Sequence, residues 1–315
     1  MNPEAVAATS EPAPRSTLAV VVRSIASDIK LAHSVFALPF AVLGAFLSRP
    51  APEGAGVFGA KLALVVVCMV CARTWAMVVN RLVDRTIDAA NPRTQRRVFA
   101  SGRLNPRAGW AAALLSAALF IAATAGFLLA GGNPWPLALS IPVLAFIAAY
   151  SYTKRFTWLC HLYLGLALAA SPAAAAIAID PSSLARSPSI LLLCAMVTVW
   201  VAGFDVIYAL QDTAFDRSAG LHSVPSRLGP GAAIWISRGL HLIAALLLGA
   251  AWWCDERFSV VFGASVALAW ALLAAEHVVL ARRGEAGLHM AFFTLNGLMS
   301  CVVGAAGCLD VALPA

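Results

Sequence analysis

Charge is scarce in this chain. Only 12% of its 315 residues are Asp, Glu, Lys or Arg, where a soluble domain carries about 25%. Hydrophobic residues make up 61%, more apolar surface than a water-soluble core of this length can hide. That excludes an ordinary soluble domain and makes lipid the solvent. Also lacking is the basic start followed by an apolar run that marks a secretory signal. Residues 1–28, with Met1-Asn2-Pro3-Glu4 and Glu11-Pro12-Ala13-Pro14, read as a disordered or peripheral cytoplasmic segment, and 29–315 as one membrane domain. Cys68 and Cys71 form a Cys-x-x-Cys, but no second pair or His cluster completes a zinc site, so the cysteines read as small buried residues. His33, His161, His241, His277 and His289 form no ligand set and read as helix-end or packing residues, whereas His222 lies in a loop where it could meet a ligand.

What the sequence does have is apolar runs near the ~20 residues needed to span a bilayer. Nine are legible, at about 31–48, 57–80, 108–130, 135–150, 160–179, 189–210, 231–251, 258–280 and 289–309. The fourth is the weakest, being short and holding Pro136 and Pro142. The fold class is therefore all-α and integral to a membrane. Sixteen of the twenty Lys and Arg in the tail, the loops and the span ends fall on one side, which the positive-inside tendency places in the cytoplasm. The net charge of +7 thus reflects membrane orientation, and no nucleic-acid partner is expected. One offset recurs: Asp212 and Asp216 follow Asp84 and Asp88 by 128 residues, as Arg282-Arg283 follow Lys154-Arg155 and His289 follows His161. This suggests a duplicated four-helix unit.

Of 15 acidic residues, five sit in two short segments. The first is Asn80-Arg81-Leu82-Val83-Asp84-Arg85-Thr86-Ile87-Asp88, in which Asn80, Asp84 and Asp88 share one helical face at i, i+4 and i+8. In the second, Asp212 and Asp216 repeat the i, i+4 pair, and Asp205 lies two turns deeper on nearly the same face. Carboxylates near lipid are costly and point to function. Hard oxygen ligands so spaced suit Mg²⁺, which favours phosphate oxygens in its remaining positions. The bland alternative is that Arg81 and Arg85 pair with Asp84 and Asp88 as helix-end charges. Two motifs of equal spacing on one side weigh against it. Arg93, Arg96 and Arg97 crowd the following loop, and Lys154-Arg155 occupy a very short one, as expected of a phosphate site. Trp75, Tyr150, Tyr152, Phe204 and Tyr208 lie near the motifs; most such residues serve the interface or packing, and a few could steady a carbocation with an aromatic face.

Together Asn80-Arg81-x-x-Asp84-x-x-x-Asp88, Asn91-Pro92-Arg93-Thr94, Tyr152-x-Lys154-Arg155 and Asp205-x-x-Tyr208-Ala209-x-x-Asp212-x-x-x-Asp216 resemble the UbiA superfamily of intramembrane aromatic prenyltransferases. The run from Ile29 to Phe40 looks like its 4-hydroxybenzoate polyprenyltransferase branch. The resemblance implies nine helices around a central cavity in a bacterial inner membrane, with the active site facing the cytoplasm. It implies that Asn80, Asp84, Asp88, Asp212 and Asp216 hold two Mg²⁺ against a polyprenyl diphosphate. Lys154, with Arg97 and Tyr208 nearby, would bind that substrate. Arg155 and Asp205 would face the aromatic acid acceptor, in ubiquinone or menaquinone synthesis. The loops after spans two and six would form a cap. One segment departs from the branch: Arg97-Val98-Phe99-Ala100-Ser101-Gly102 replaces Arg-Pro-Leu-Pro-Ala-Gly, which leaves that loop's shape open. The rival readings are a UbiA-like prenyltransferase with another acceptor and a transporter with intramembrane acids; the transporter calls for acids deep in several helices rather than beside a basic loop.

Overall fold

Prolines and short polar caps decide where the apolar runs become helices. The computed structural model describes residues 18–28, 36–50 and 54–313. A helix α1 (Leu18–Asp28) precedes a short apolar α2 (Leu38–Leu47). A long α3 (Ala55–Val83) leads into the brief α4 (Arg85–Ala90). Helix α5 (Pro106–Gly131) starts with proline in its first turn, where no N–H is needed, behind Asn105, whose side chain accepts from the Arg107 N–H at 2.9 Å. Then come α6 (Trp135–Thr153), α7 (Cys160–Ile179), the single turn α8 (Ser183–Arg186) and α9 (Pro188–Tyr208). A tight 3-10 turn (Ala209–Asp212), α10 (Thr213–Ser218) and α11 (Val224–Leu228) follow. The chain ends with α12 (Pro230–Cys254), α13 (Val260–Arg283), a π-turn (Met290–Leu295) and α14 (Asn296–Ala312).

Among the described residues the protein is all-helical, and eight spans are long and apolar enough to cross a membrane. The first of the nine expected spans is described only as the 10-residue α2, since 29–35 lie outside the described residues. The doubtful fourth span is a full helix of 19 residues: Pro136 falls in its first turn, and only Pro142 lies inside it.

Packing closes on itself. Helices α3, α5, α6, α7, α9, α12, α13 and α14 each pack on the next, and α14 returns to α2, which touches α3. The best-buried helix is α9, whose Leu193, Met196, Val197, Trp200 and Val201 are fully enclosed between α7 and α12. Gly165 lets α7 approach: a Cβ there would lie 2.0 Å from the Thr198 carbonyl oxygen. Outward-facing apolar side chains such as Leu129 and Trp253, each 88% exposed, make sense only against lipid.

Away from the acidic motifs, polar knots tie helix ends together. Asp310 of α14 accepts from the backbone N–H of Ser259 at 2.7 Å and of Phe262 at 3.0 Å, capping α13 from a neighbouring helix. Asp255 accepts from Arg257 Nε at 2.8 Å and Ser189 Oγ at 2.5 Å, while Arg257 reaches the Leu47 carbonyl at 2.7 Å. Burial alone would raise the Asp255 pKa, but Arg257 and Ser189 outweigh it and hold the carboxyl below its ordinary value. A depressed folded pKa gives stability that is complete above the unfolded value, about 3.9, and is lost as pH falls through the folded one. Thermal midpoints in detergent should therefore drop on acidification below about pH 4, and Asp255→Asn should remove part of that drop. An unchanged pH profile in the variant would place the acid sensitivity elsewhere.

Candidate active site

Both acidic motifs sit on a helix break of the same shape. In the first, α3 ends at Val83 and Asp84 leaves helical geometry at φ −90°, ψ 5°. In the second, Asp212 does the same at φ −101°, ψ 4°. A six-residue helix follows each break. The i, i+4 spacing survives the first break because the Asp84 N–H donates to the Asn80 carbonyl at 2.9 Å and the Asp88 N–H to the Asp84 carbonyl at 2.7 Å.

Each of the four carboxylates meets a cation from elsewhere in the chain. Arg155 Nη2 donates to Asp84 Oδ1 at 2.9 Å and to the Val83 carbonyl at 2.9 Å. Arg97 Nη1 bridges both oxygens of Asp88, at 2.7 and 2.8 Å. Arg93 grips Asp212 with Nε at 2.8 Å and with Nη2, and Asn91 Nδ2 adds a third bond at 3.0 Å. Lys154 Nζ lies 2.8 Å from Asp216 Oδ1, and Asp216 Oδ2 has no hydrogen-bond partner among the described residues although the side chain is fully buried. Among the described residues, the local pairing of Arg81 and Arg85 with Asp84 and Asp88 is replaced by these longer-range pairs. Arg81 turns instead to Asn80 Oδ1 at 3.0 Å and to Asp28 at 3.3 Å. Burial pushes the Asp84 pKa up, as does Asp88, with Arg155 opposing. Burial would lower the Arg93 pKa, yet the Asp212 carboxylate raises it overall.

The loop after the first motif reaches across to the second through Asn91 and Arg93. It is pinned by buried Val98 and Phe99, which pack with Ile25, Val78, Val79 and Leu82. It turns at Gly102, whose φ of 73° favours glycine.

Asp205 does not join this array. The 3-10 turn between it and Asp212 advances ~120° per residue rather than ~100°, which rotates Asp212 by roughly 80° over four residues. That sets the two about 60° apart around the axis in place of about 20°, and the carboxylates take different partners. Asp205 Oδ2 meets His161 Nδ1 at 2.7 Å, while His161 Nε2 accepts from the Val224 N–H at 3.2 Å. That second bond assigns the imidazole proton to Nδ1, aimed at Asp205. His161 is expected to be a helix-end or packing residue, and it does stand in the first turn of α7; its pairing with Asp205 had no sequence signal beyond its offset from His289.

Tyr208 hangs between the array and the core. Its hydroxyl accepts from Arg93 Nη1 at 3.2 Å, and its ring lies 4.3 Å from that of Phe292. Tyr152 stacks under Arg155 at 5.4 Å, whereas Trp75 spends its N–H on the Leu144 carbonyl at 2.9 Å and is a packing residue. His222 is engaged by Arg227, its backbone N–H donating to the Lys154 carbonyl at 2.8 Å. Arg73 is a second residue that sequence reasoning passed over. It lies in α3 two turns before Asn80 on the same face, and its Nε is buried without a partner among the described residues.

The sequence profile of the UbiA prenyltransferase family matches residues 37–298. The chain belongs to the UbiA prenyltransferase family. A 4-hydroxybenzoate octaprenyltransferase of Neisseria meningitidis is 30% identical over 211 residues, 66% of this chain and 64% of that one. A 4-hydroxybenzoate geranyltransferase of Lithospermum erythrorhizon is 34% identical over 175 residues, 54% of each chain. The chain thus aligns to less than two thirds of the length of these curated relatives. Among solved structures, the apo UbiA homolog of Aeropyrum pernix superposes with a TM-score of 0.77 at 33% identity, covering 88% of this chain and 98% of that one. An Archaeoglobus fulgidus homolog bound to GPP and Mg²⁺ shares the fold, with a TM-score of 0.66 at 17% identity over 92% of this chain and all of that one.

This UbiA family member offers Mg²⁺ a suitable donor set: four carboxylates and the Asn80 carboxamide, all hard oxygens, with one buried Asp216 oxygen unpartnered. Among the described residues no three acids, His or Cys close around a single point. Each of the four carboxylates is instead paired with an arginine or Lys154.

Proposed function

We propose that this protein transfers a polyprenyl group from a polyprenyl diphosphate to an aromatic acid of the 4-hydroxybenzoate class, with Mg²⁺, in ubiquinone or menaquinone synthesis. The observation that carries the reading is the one-to-one pairing of Arg155, Arg97, Arg93 and Lys154 with Asp84, Asp88, Asp212 and Asp216. Such an array is built for exchange. A diphosphate takes the four cations, and the freed carboxylates, with Asn80, would hold Mg²⁺. Bound there, Mg²⁺ supplies neutralisation of the charge that develops on the departing diphosphate.

The remaining steps belong to the chain's own residues. Arg93, Arg97 and Lys154 hold the diphosphate as its bond to the allylic carbon breaks, the electron pair leaving with oxygen. Arg155, expected at the acceptor's carboxylate, is assigned here to the diphosphate end, because its guanidinium already sits on Asp84. Asp205, fixed by the His161 N–H, takes the acceptor's phenolic proton and enriches the ring in electrons. A ring carbon bonds the allylic carbon, its own proton goes to the diphosphate, and Asp205 returns the phenolic proton. Arg73, the deep cation on the Asn80 face, is assigned to the acceptor's carboxylate.

We place the site on the cytoplasmic face of a bacterial plasma membrane, where sixteen of twenty loop cations lie. Inverted membrane vesicles given prenyl diphosphate, Mg²⁺ and a panel of aromatic acids should yield prenylated acid by mass spectrometry. Right-side-out vesicles and chelated samples should not. Product without Mg²⁺, or none from any acceptor, rejects the reading.

A further inference from the structure

The last span begins irregularly. Met290–Leu295 form a π-turn, a rare geometry that collects at functional sites. The residue that ends it, Asn296, is a hub between three helices. Its Nδ2 donates to the Ala291 carbonyl inside the turn at 2.9 Å and to Glu276 Oε2 of α13 at 3.2 Å. Its Oδ1 accepts from Trp200 Nε1 of α9 at 2.6 Å. Trp200, Glu276 and Asn296 are each at most 1% exposed, so these polar groups have no water to turn to. His241 Nδ1 extends the seam towards α12, 3.8 Å from Glu276 Oε2 and 3.1 Å from His277 Nε2. None of these residues takes part in the chemistry described above.

What the turn carries explains the hub. Phe292, in mid-turn, lies 4.3 Å from Tyr208, 5.0 Å from Phe204 and 5.8 Å from Phe36, ring centre to ring centre. Tyr208 in turn lies beneath Arg93, which holds Asp212. Contact therefore runs unbroken from the acidic array through Arg93 and Tyr208 to Phe292. An ordinary α-helix in place of the π-turn would shift Phe292 by about one residue, roughly 100° around the axis, and take its ring off Tyr208.

We propose that Asn296, clamped between Trp200 and Glu276, is a positioning residue that holds the π-turn so that Phe292 and Tyr208 wall the allylic carbon off from water. The inference rests on the prenyl-transfer reading. Aromatic faces favour the cation-like carbon and exclude water from it. When the wall is misaligned, water adds to that carbon and loses a proton, giving prenyl alcohol and diphosphate in place of prenylated acid.

The test is the ratio of prenyl alcohol to prenylated acid, with both substrates saturating, in the full-length protein. Trp200→Phe removes one donor and keeps a ring, Asn296→Ala removes the hub, and Phe292→Leu removes the wall itself. In all three the alcohol share should rise about fivefold or more, while KM for the diphosphate stays within about twofold. Glu276→Leu should raise it as well. Glu276→Gln, which keeps an oxygen for Asn296 Nδ2, should hold the ratio near that of the wild type. A merely structural defect lowers the amount of active protein and leaves the ratio alone. An unchanged ratio in Trp200→Phe and Asn296→Ala, with Phe292→Leu altered, overturns the positioning role; should Asn296→Ala not fold, Trp200→Phe decides it. An unchanged ratio in Phe292→Leu overturns the wall. A wild type that prenylates no acceptor rejects the transfer reading itself, an outcome distinct from these.

Discussion

Asp212→Ala is expected to lower turnover by about a thousandfold or more while the protein still inserts and folds. Asp212 joins the two halves of the site, since it receives Asn91 and Arg93 from the loop of the first motif. Its loss removes a charged ligand proposed for Mg²⁺, leaves Arg93 without its anion and frees the loop that Asn91 and Arg93 tie to it. The packing cost is small, because the side chain stands at a helix break rather than in the core of α9. Asp84→Ala should behave alike, releasing Arg155 and the Asn80 carboxamide, whose Nδ2 donates to Asp84 at 3.0 Å. Asp212→Asn keeps much of the shape and loses the charge, so it should recover little. The measurement is kcat at matched amounts of folded protein, with the thermal midpoint as the folding control. Near-normal turnover in Asp84→Ala or Asp212→Ala would make the acids structural.

Asp205→Asn is expected to cost about 10²–10⁴ in kcat/KM for the aromatic acid, the range of a lost general base, and to leave affinity for prenyl diphosphate within about twofold. The amide oxygen still accepts from His161 Nδ1, so the geometry is kept and the loss reports on chemistry. Arg73→Ala should raise KM for the acceptor, and Arg155→Ala the Kd of the diphosphate, because Arg155 stands on Asp84 while Arg73 lies deeper on the Asn80 face. Arg73→Lys should recover little, since an ammonium does not reproduce a bidentate fork. Donor affinity and acceptor-dependent turnover must be measured separately in each variant. Equal loss of both in Asp205→Asn would put Asp205 in the diphosphate site and sink this division of labour.

Much of this was legible in the sequence, for a physical reason. Lipid imposes a length and a composition on every span, so the apolar runs declare themselves without knowledge of their neighbours. Carboxylates beside lipid are costly enough that Asp84, Asp88, Asp212 and Asp216 stand out one motif at a time. Even the proline-bearing α6 was legible as a span, and only its strength was underrated. Partnership was a different matter. That Asp84 takes Arg155 rather than Arg81, that Asp212 takes Arg93, and that His161 turns its proton to Asp205 depends on helices distant in sequence meeting at one end of the bundle. The 3-10 turn after Tyr208 and the π-turn before Asn296 were equally hidden. Each is a departure of about one residue from α-helical register, which local propensity leaves almost undecided. Only tertiary packing, with Arg93 gripping Asp212 and Trp200 and Glu276 holding Asn296, fixes those registers, and so decides which side chains face one another.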